Sequence, residues 1–154
     1  MRPVTRKGLT IIELVVVIVV LGLAIPPLLT MWADVGWRFS RSEFLADSGF
    51  YAQALMEEIK SKAFVDPNDP NNTNLGPNAG ESYPNFNDVD DFNGYSDNPA
   101  SGYTRLVAVD YVSLSNATWI NSASATDFKR IIITVSRAIG HVIPVTLTAL
   151  VSAH

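Results

Sequence analysis

Residues 7–22 read KGLTIIELVVVIVVLG: a lysine, a glycine, then an aliphatic run broken in one place by a carboxylate, Glu13. From residue 9 to residue 31 the only other side chains that are not apolar are the hydroxyls of Thr10 and Thr30. That run is long and apolar enough to form one membrane-spanning helix. An ionised glutamate inside such a helix costs about 2.5 to 3.5 kcal/mol on insertion scales, so Glu13 needs compensation. Two arrangements supply it. Glu13 lies near enough to the end of the span to reach the headgroups, or it meets a cation of another chain inside an assembly.

The flanks set the orientation. Arg2, Arg6 and Lys7 precede the run with no acidic residue among them, which keeps the N-terminus cytoplasmic and sends the remainder across. Residues 1–8 are too short, and lack the apolar core, to be an ordinary secretory peptide. The hydrophobic segment is therefore expected to be retained.

The segment Gly8-Leu9-Thr10-Ile11-Ile12-Glu13-Leu14-Val15-Val16-Val17-Ile18, with its short basic leader, resembles the N-terminus of type IV pilins and type II secretion pseudopilins. The resemblance implies that a prepilin peptidase cuts after Gly8 and methylates the new amine. Leu9 then becomes the first residue, where the family more often has Phe, and Glu13 becomes the family's glutamate. It also supplies the cation: Glu13 of an incoming subunit meets the Leu9 amine of one already assembled. Two unit charges about 4 Å apart attract by about 4 kcal/mol at an effective dielectric of about 20, before desolvation is subtracted. Such a pair favours correct register more than it stabilises a monomer. The implied partners are similar subunits, the peptidase, an inner-membrane assembly platform and membrane lipid. Because tip subunits of pseudopilus complexes often lack the glutamate, the chain is expected beneath a tip.

Within the span, Gly22 and the pair Pro26-Pro27 point to a kink or a melted turn, because proline lacks a donor and disfavours helical geometry in the residue before it. Pro26-Pro27 ending the membrane span is the other reading. Beyond it, residues 34–63 form an amphipathic helix. Leu45, Ala52, Leu55 or Met56, Ile59 and Ala63 recur at helical spacing, with Arg41, Asp47, Gln53, Glu57, Lys60 and Lys62 mostly elsewhere. That face needs a sheet to cover it. A continuous helix over residues 9–62 is about 80 Å long at about 1.5 Å per residue.

Residues 64–103 change character, being rich in Asn, Asp, Pro and Gly, and from Asp66 to Asp97 they hold seven acidic residues and no Lys or Arg. Tyr83, Phe86, Phe92, Tyr95 and Tyr103 are placed to pin this loop onto the domain, and recognition of a partner is the other reading. In the run Asp88-Val89-Asp90-Asp91-Phe92-Asn93-Gly94 the carboxylates Asp88, Asp90 and Asp91 are candidate calcium ligands, since hard cations take clustered oxygens. The run fails the EF-hand spacing, and a turn exposing acidic residues is the alternative.

The last third, residues 104–154, reads as an antiparallel meander with strands at 106–109, 131–135 and 145–151, each rich in β-branched residues. In the last, Val145, Leu147, Ala149 and Val151 alternate with Thr146, Thr148 and Leu150. One face is expected to pack on the long helix in an α+β fold, with no crossover helices to build a parallel sheet.

Little points to catalysis. The chain has no cysteine and two histidines, His141 and His154, which leaves no triad and no multi-histidine metal site. A net charge of -4 without a basic stripe gives no support to nucleic-acid binding. The sequence leads to five segments: a leader at 1–8, a hydrophobic helix at 9–33, an amphipathic helix at 34–63, a loop at 64–103 and a sheet at 104–154. The expected function is a structural subunit, a minor pilin or pseudopilin, in the bacterial inner membrane and then in a periplasmic filament. A single-span, membrane-tethered periplasmic binding domain is the alternative.

Overall fold

The computed structural model describes Gly8, residues 10–138 and residues 143–153, the side chain of Ser40 excepted. The basic leader with Arg2, Arg6 and Lys7, the residue Leu9 and both histidines, His141 and His154, lie outside the described residues. Helix α1 runs over Ile11–Lys60 and contains Pro26 and Pro27. Its assignment is unbroken at Gly22 and at both prolines, although the prolines withhold the N–H groups that the carbonyls of Gly22 and Leu23 would accept. One turn on, the Thr30 hydroxyl donates to the Pro27 carbonyl at 2.9 Å.

The chain divides into two compact units, Met1–Ser42 and Glu43–His154. In the first, the apolar side chains of α1 are exposed all round, Ile18, Leu23 and Leu29 among them. A helix that is apolar on every side belongs in a surrounding as apolar as itself.

The second unit holds the rest of α1 and an antiparallel sheet. A 3-10 turn at Asp90–Phe92 precedes β1 (Ser96–Asp97), β2 (Tyr103–Ser115), β3 (Thr118–Asn121), β4 (Phe128–Arg137) and β5 (Val145–Ser152). The sheet order is β1-β2-β4-β5, with β3 pairing the far end of β2. Every pairing between these strands is antiparallel, so the unit is α+β. The three expected strands lie inside β2, β4 and β5. The short β1 and β3 carry too little periodicity to announce themselves. β2 turns into β3 through Asn116-Ala117, both at positive φ (47° and 60°), the geometry of a two-residue type I′ hairpin.

One face of α1 closes on this sheet. Phe44, Ala52, Leu55, Met56 and Ile59 are buried with Val107 and Val109 of β2 and Ile131, Ile133 and Val135 of β4. On β5, Val145, Leu147, Ala149 and Val151 line the inner side and are half-buried, while the residues between them face out.

The sequence placed Leu45 in the helix stripe, and here the structure corrects it: Leu45 is 49% exposed and Phe44 is fully buried. Both fit a helical period. Tyr103 decides between them, because its ring stacks on Phe44 at 5.8 Å and meets Tyr51 edge-on at 5.2 Å. Its hydroxyl donates to Asp47 at 3.0 Å. Tyr103 thus covers the flank of α1 that carries residues 44, 47 and 51, and Leu45 lies on the opposite flank.

Candidate functional site

Two places carry the sequence-predicted residues: the start of α1 and the acidic loop. At the first, Gly8 is exposed and outside the helix. Thr10 is the N-cap: its carbonyl accepts the Leu14 N–H at 3.2 Å and its hydroxyl accepts the Glu13 N–H at 3.4 Å. Thr10-Ile11-Ile12-Glu13 is therefore a T-x-x-E capping sequence with Glu13 at its third helical position. The Glu13 carboxylate sits in the first turn, where the unpaired N–H groups of a helix favour negative charge. This local role for Glu13 is legible in the spacing of threonine and glutamate.

The acidic loop is bound down by its own aromatics and by the two lysines nearest it. Phe86 and Phe92 are buried, meeting edge-on at 4.9 Å, and Tyr95 packs against both. Tyr83 packs on Phe86 and Tyr95 while staying partly exposed. Backbone bonds join the loop to β2, from Gly94 to the Val107 carbonyl at 3.0 Å and from Val107 to the Tyr95 carbonyl at 2.9 Å. At the end of α1 the Lys62 ammonium donates to the Phe86 carbonyl at 2.7 Å, and Val89 donates to the Ala63 carbonyl at 3.0 Å. Across the pairing of β1 with β2, Arg105 grips Asp97 with two bonds of 2.8 and 2.5 Å, the bidentate geometry that makes such pairs strong.

The three candidate calcium ligands are buried, contrary to a turn that exposes them, and they do not converge on a common point. Asp88 Oδ1 accepts the N–H groups of Asp90 and Asp91 at 2.6 and 3.2 Å. Asp91 Oδ2 accepts those of Asn87 and Asp88 at 2.9 and 3.4 Å. Asp90 Oδ2 accepts from the Lys129 ammonium at 2.8 Å. Among the described residues no three His, Cys, Asp or Glu side chains are grouped so as to hold a metal ion. The cation that Asp90 meets is one of the protein's own side chains.

That cation is the residue sequence reasoning missed. Lys129 is fully buried, donates to the Phe64 carbonyl as well as to Asp90, and lies over the rings of Phe64 and Tyr111 at 4.1 and 5.0 Å. A buried ammonium is tolerable only with such partners. Two signals pointed to it. Lys129 shares the odd-numbered register of Ile131, Ile133 and Val135, so the alternation of β4 turns it inward, and the loop has an excess of carboxylates with no base of its own.

Burial raises the Asp88 carboxyl to about 6, with the neighbouring Asp91 charge acting in the same sense against the two N–H donors. Asp90 is raised too, by burial, with Lys129 opposing. Tyr111 is pushed up to about 12 by burial and by the carboxylates of Asp90 and Asp88, and so remains neutral at physiological pH. An open groove between α1 and β5 is lined by Ala52, Met56, Leu147 and Ala149 and by the hydroxyl residues Thr146 and Thr148, with Gln53, Glu57 and Lys60 at its margin. No model of a known protein family matches the chain, and no curated protein or solved structure is detectably similar to it.

Proposed function

We propose that the chain is a structural subunit of a type IV pilin-like or type II secretion filament, a minor pilin or pseudopilin rather than an enzyme. The observation that carries this is the order of parts at the N-terminus: a basic leader, Gly8, the large apolar Leu9, Glu13 five residues past the glycine, and a helix apolar on all sides that leads into an α+β unit. In this proposal a prepilin peptidase cleaves after Gly8 and methylates Leu9. The processed chain waits in the inner membrane with its N-terminus cytoplasmic and its second unit periplasmic, and an assembly platform adds it to a filament through α1. Glu13 pairs with the Leu9 amine of a neighbouring subunit.

A single-span tethered periplasmic domain is the second reading. It is favoured by one observation, the Thr10–Glu13 cap, which gives the glutamate a use within one chain. Intact-mass and N-terminal analysis of the protein from membranes, with and without a co-expressed prepilin peptidase, separates the two. A chain beginning at methylated Leu9 only when the peptidase is present is the expected result. An uncut Met1 chain in both samples leaves the tethered domain.

A further inference from the structure

We propose that residues 32–39 form an aromatic collar seated in the interfacial layer of the periplasmic leaflet of the membrane that α1 spans, with Trp32 and Trp37 fixing how far α1 protrudes from the bilayer. This rests on the membrane-spanning part of the reading above and not on filament assembly.

The first observation is length. The apolar stretch from Ile11 to Met31 is helical throughout, and at about 1.5 Å per residue its 21 residues cover about 31 Å, against about 30 Å of hydrocarbon in a typical bilayer. Trp32 is the next residue. Trp37 lies five residues on, about 8 Å further along the axis, and helical side chains point back toward the N-terminus, which returns its indole toward the membrane boundary. Tryptophan concentrates in that layer because its ring is largely apolar while its N–H needs a polar partner.

The second observation is distribution around the helix. Trp32 is 81% exposed, and Trp37 and Phe39 are each 71% exposed. Trp32 and Phe39 lie on one side of α1, whereas Trp37 is about 140° round at about 100° per residue. A protein partner covers one side of a helix and selects a stripe; a lipid interface surrounds it and selects a ring. The polar residues begin in the same window, with Asp34 and Arg38 forming an exposed ion pair at 3.0 Å. The change from an aliphatic run whose one charge, Glu13, lies in the first turn to mixed aromatic and charged residues therefore falls at the length where a spanning helix leaves the hydrocarbon.

The test uses the full chain, reconstituted into phosphatidylcholine–phosphatidylglycerol vesicles, with Trp119→Phe in every variant. One variant keeps only Trp32, another only Trp37, and a third has both replaced by Phe and carries Leu21→Trp as a mid-span reference. Fluorescence is read in vesicles whose lipids carry bromine either near the headgroup or deep in the chains. The proposal expects Trp32 and Trp37 each to be quenched at least twofold more by the shallow bromines than by the deep ones, and Leu21→Trp the reverse. Quenching of Leu21→Trp by deep bromines, with Trp32 and Trp37 untouched by either lipid, overturns the collar while leaving the span intact. Loss of quenching at all three positions, in protein that fails to float with the vesicles, overturns the span itself. Protection of Trp32 and Trp37 that grows with the protein-to-lipid ratio also overturns the collar, in favour of contact between copies of the chain.

Discussion

Replacing Asp88 by Asn should stabilise the second unit at neutral pH and do nothing for it in acid. Asp88 is 2% exposed, and its carboxyl is raised from an ordinary 3.8 to about 6, chiefly by burial. A carboxyl that is harder to ionise when folded binds its proton more tightly in the native state. Its favourable contribution is complete below about pH 4 and is lost as pH rises through about 6. At about 1.4 kcal/mol per pH unit, the displacement from 3.8 to about 6 corresponds to about 3 kcal/mol. Asparagine resembles the protonated acid and keeps an Oδ1 able to accept the N–H groups of Asp90 and Asp91, so Asp88→Asn should gain up to about 3 kcal/mol at pH 7.5 relative to the parent. At pH 4 the two proteins should coincide. Urea unfolding of the full chain in nonionic detergent, followed by near-UV circular dichroism of the tyrosine cluster, measures both. A variant less stable than the parent at pH 7.5, or a difference that does not change with pH, would refute the reasoning.

Three other outcomes follow from the same contacts. Lys129→Met removes the ammonium and leaves Asp90 buried without its partner, for a loss of about 3 to 5 kcal/mol; adding Asp90→Asn should recover most of it in the same urea titration. Phe44→Ala should lose about 3 to 5 kcal/mol, whereas Leu45→Ala should lose well under half of that, and equal losses would contradict the assignment of the stripe. Glu13→Gln retains a residue suited to the Thr10 cap and removes only the charge. In the filament reading it is cut normally yet recovered at several-fold lower yield in sheared filaments, while normal recovery would remove the ion pair from the mechanism.

The groups these predictions touch were unequally visible in the sequence. Glu13 stood out because a carboxylate in an aliphatic run has a cost that needs a partner, yet the partner nearest to hand, the N-terminus of its own helix, is local and was legible three residues upstream in Thr10. Asp88, Asp90 and Asp91 stood out as a cluster, and clustering alone left their directions open. Lys129 is 39 residues from Asp90 along the chain, and their meeting depends on β4 lying beside β2 and on the loop folding back over the end of α1. Strand alternation showed which way Lys129 points but not what it would reach.

By itself the sequence determined what is periodic or local: an aliphatic run long enough to span a membrane, a helix after it with an apolar side, and strands whose alternation separates Val145, Leu147, Ala149 and Val151 from the residues between them. These follow from a repeat of about 3.6 or of 2 residues and from side-chain chemistry, which neighbours along the chain suffice to express. Tertiary structure decided what depends on which distant surface arrives. Tyr103 settled that Phe44 and not Leu45 is core, and Lys129 arrived as the partner of Asp90 within the acidic cluster. Burial of the folded loop against the domain raised the proton affinity of Asp88. Each is an effect of desolvation or contact between residues far apart in the chain, and such effects exist only once the chain has closed on itself.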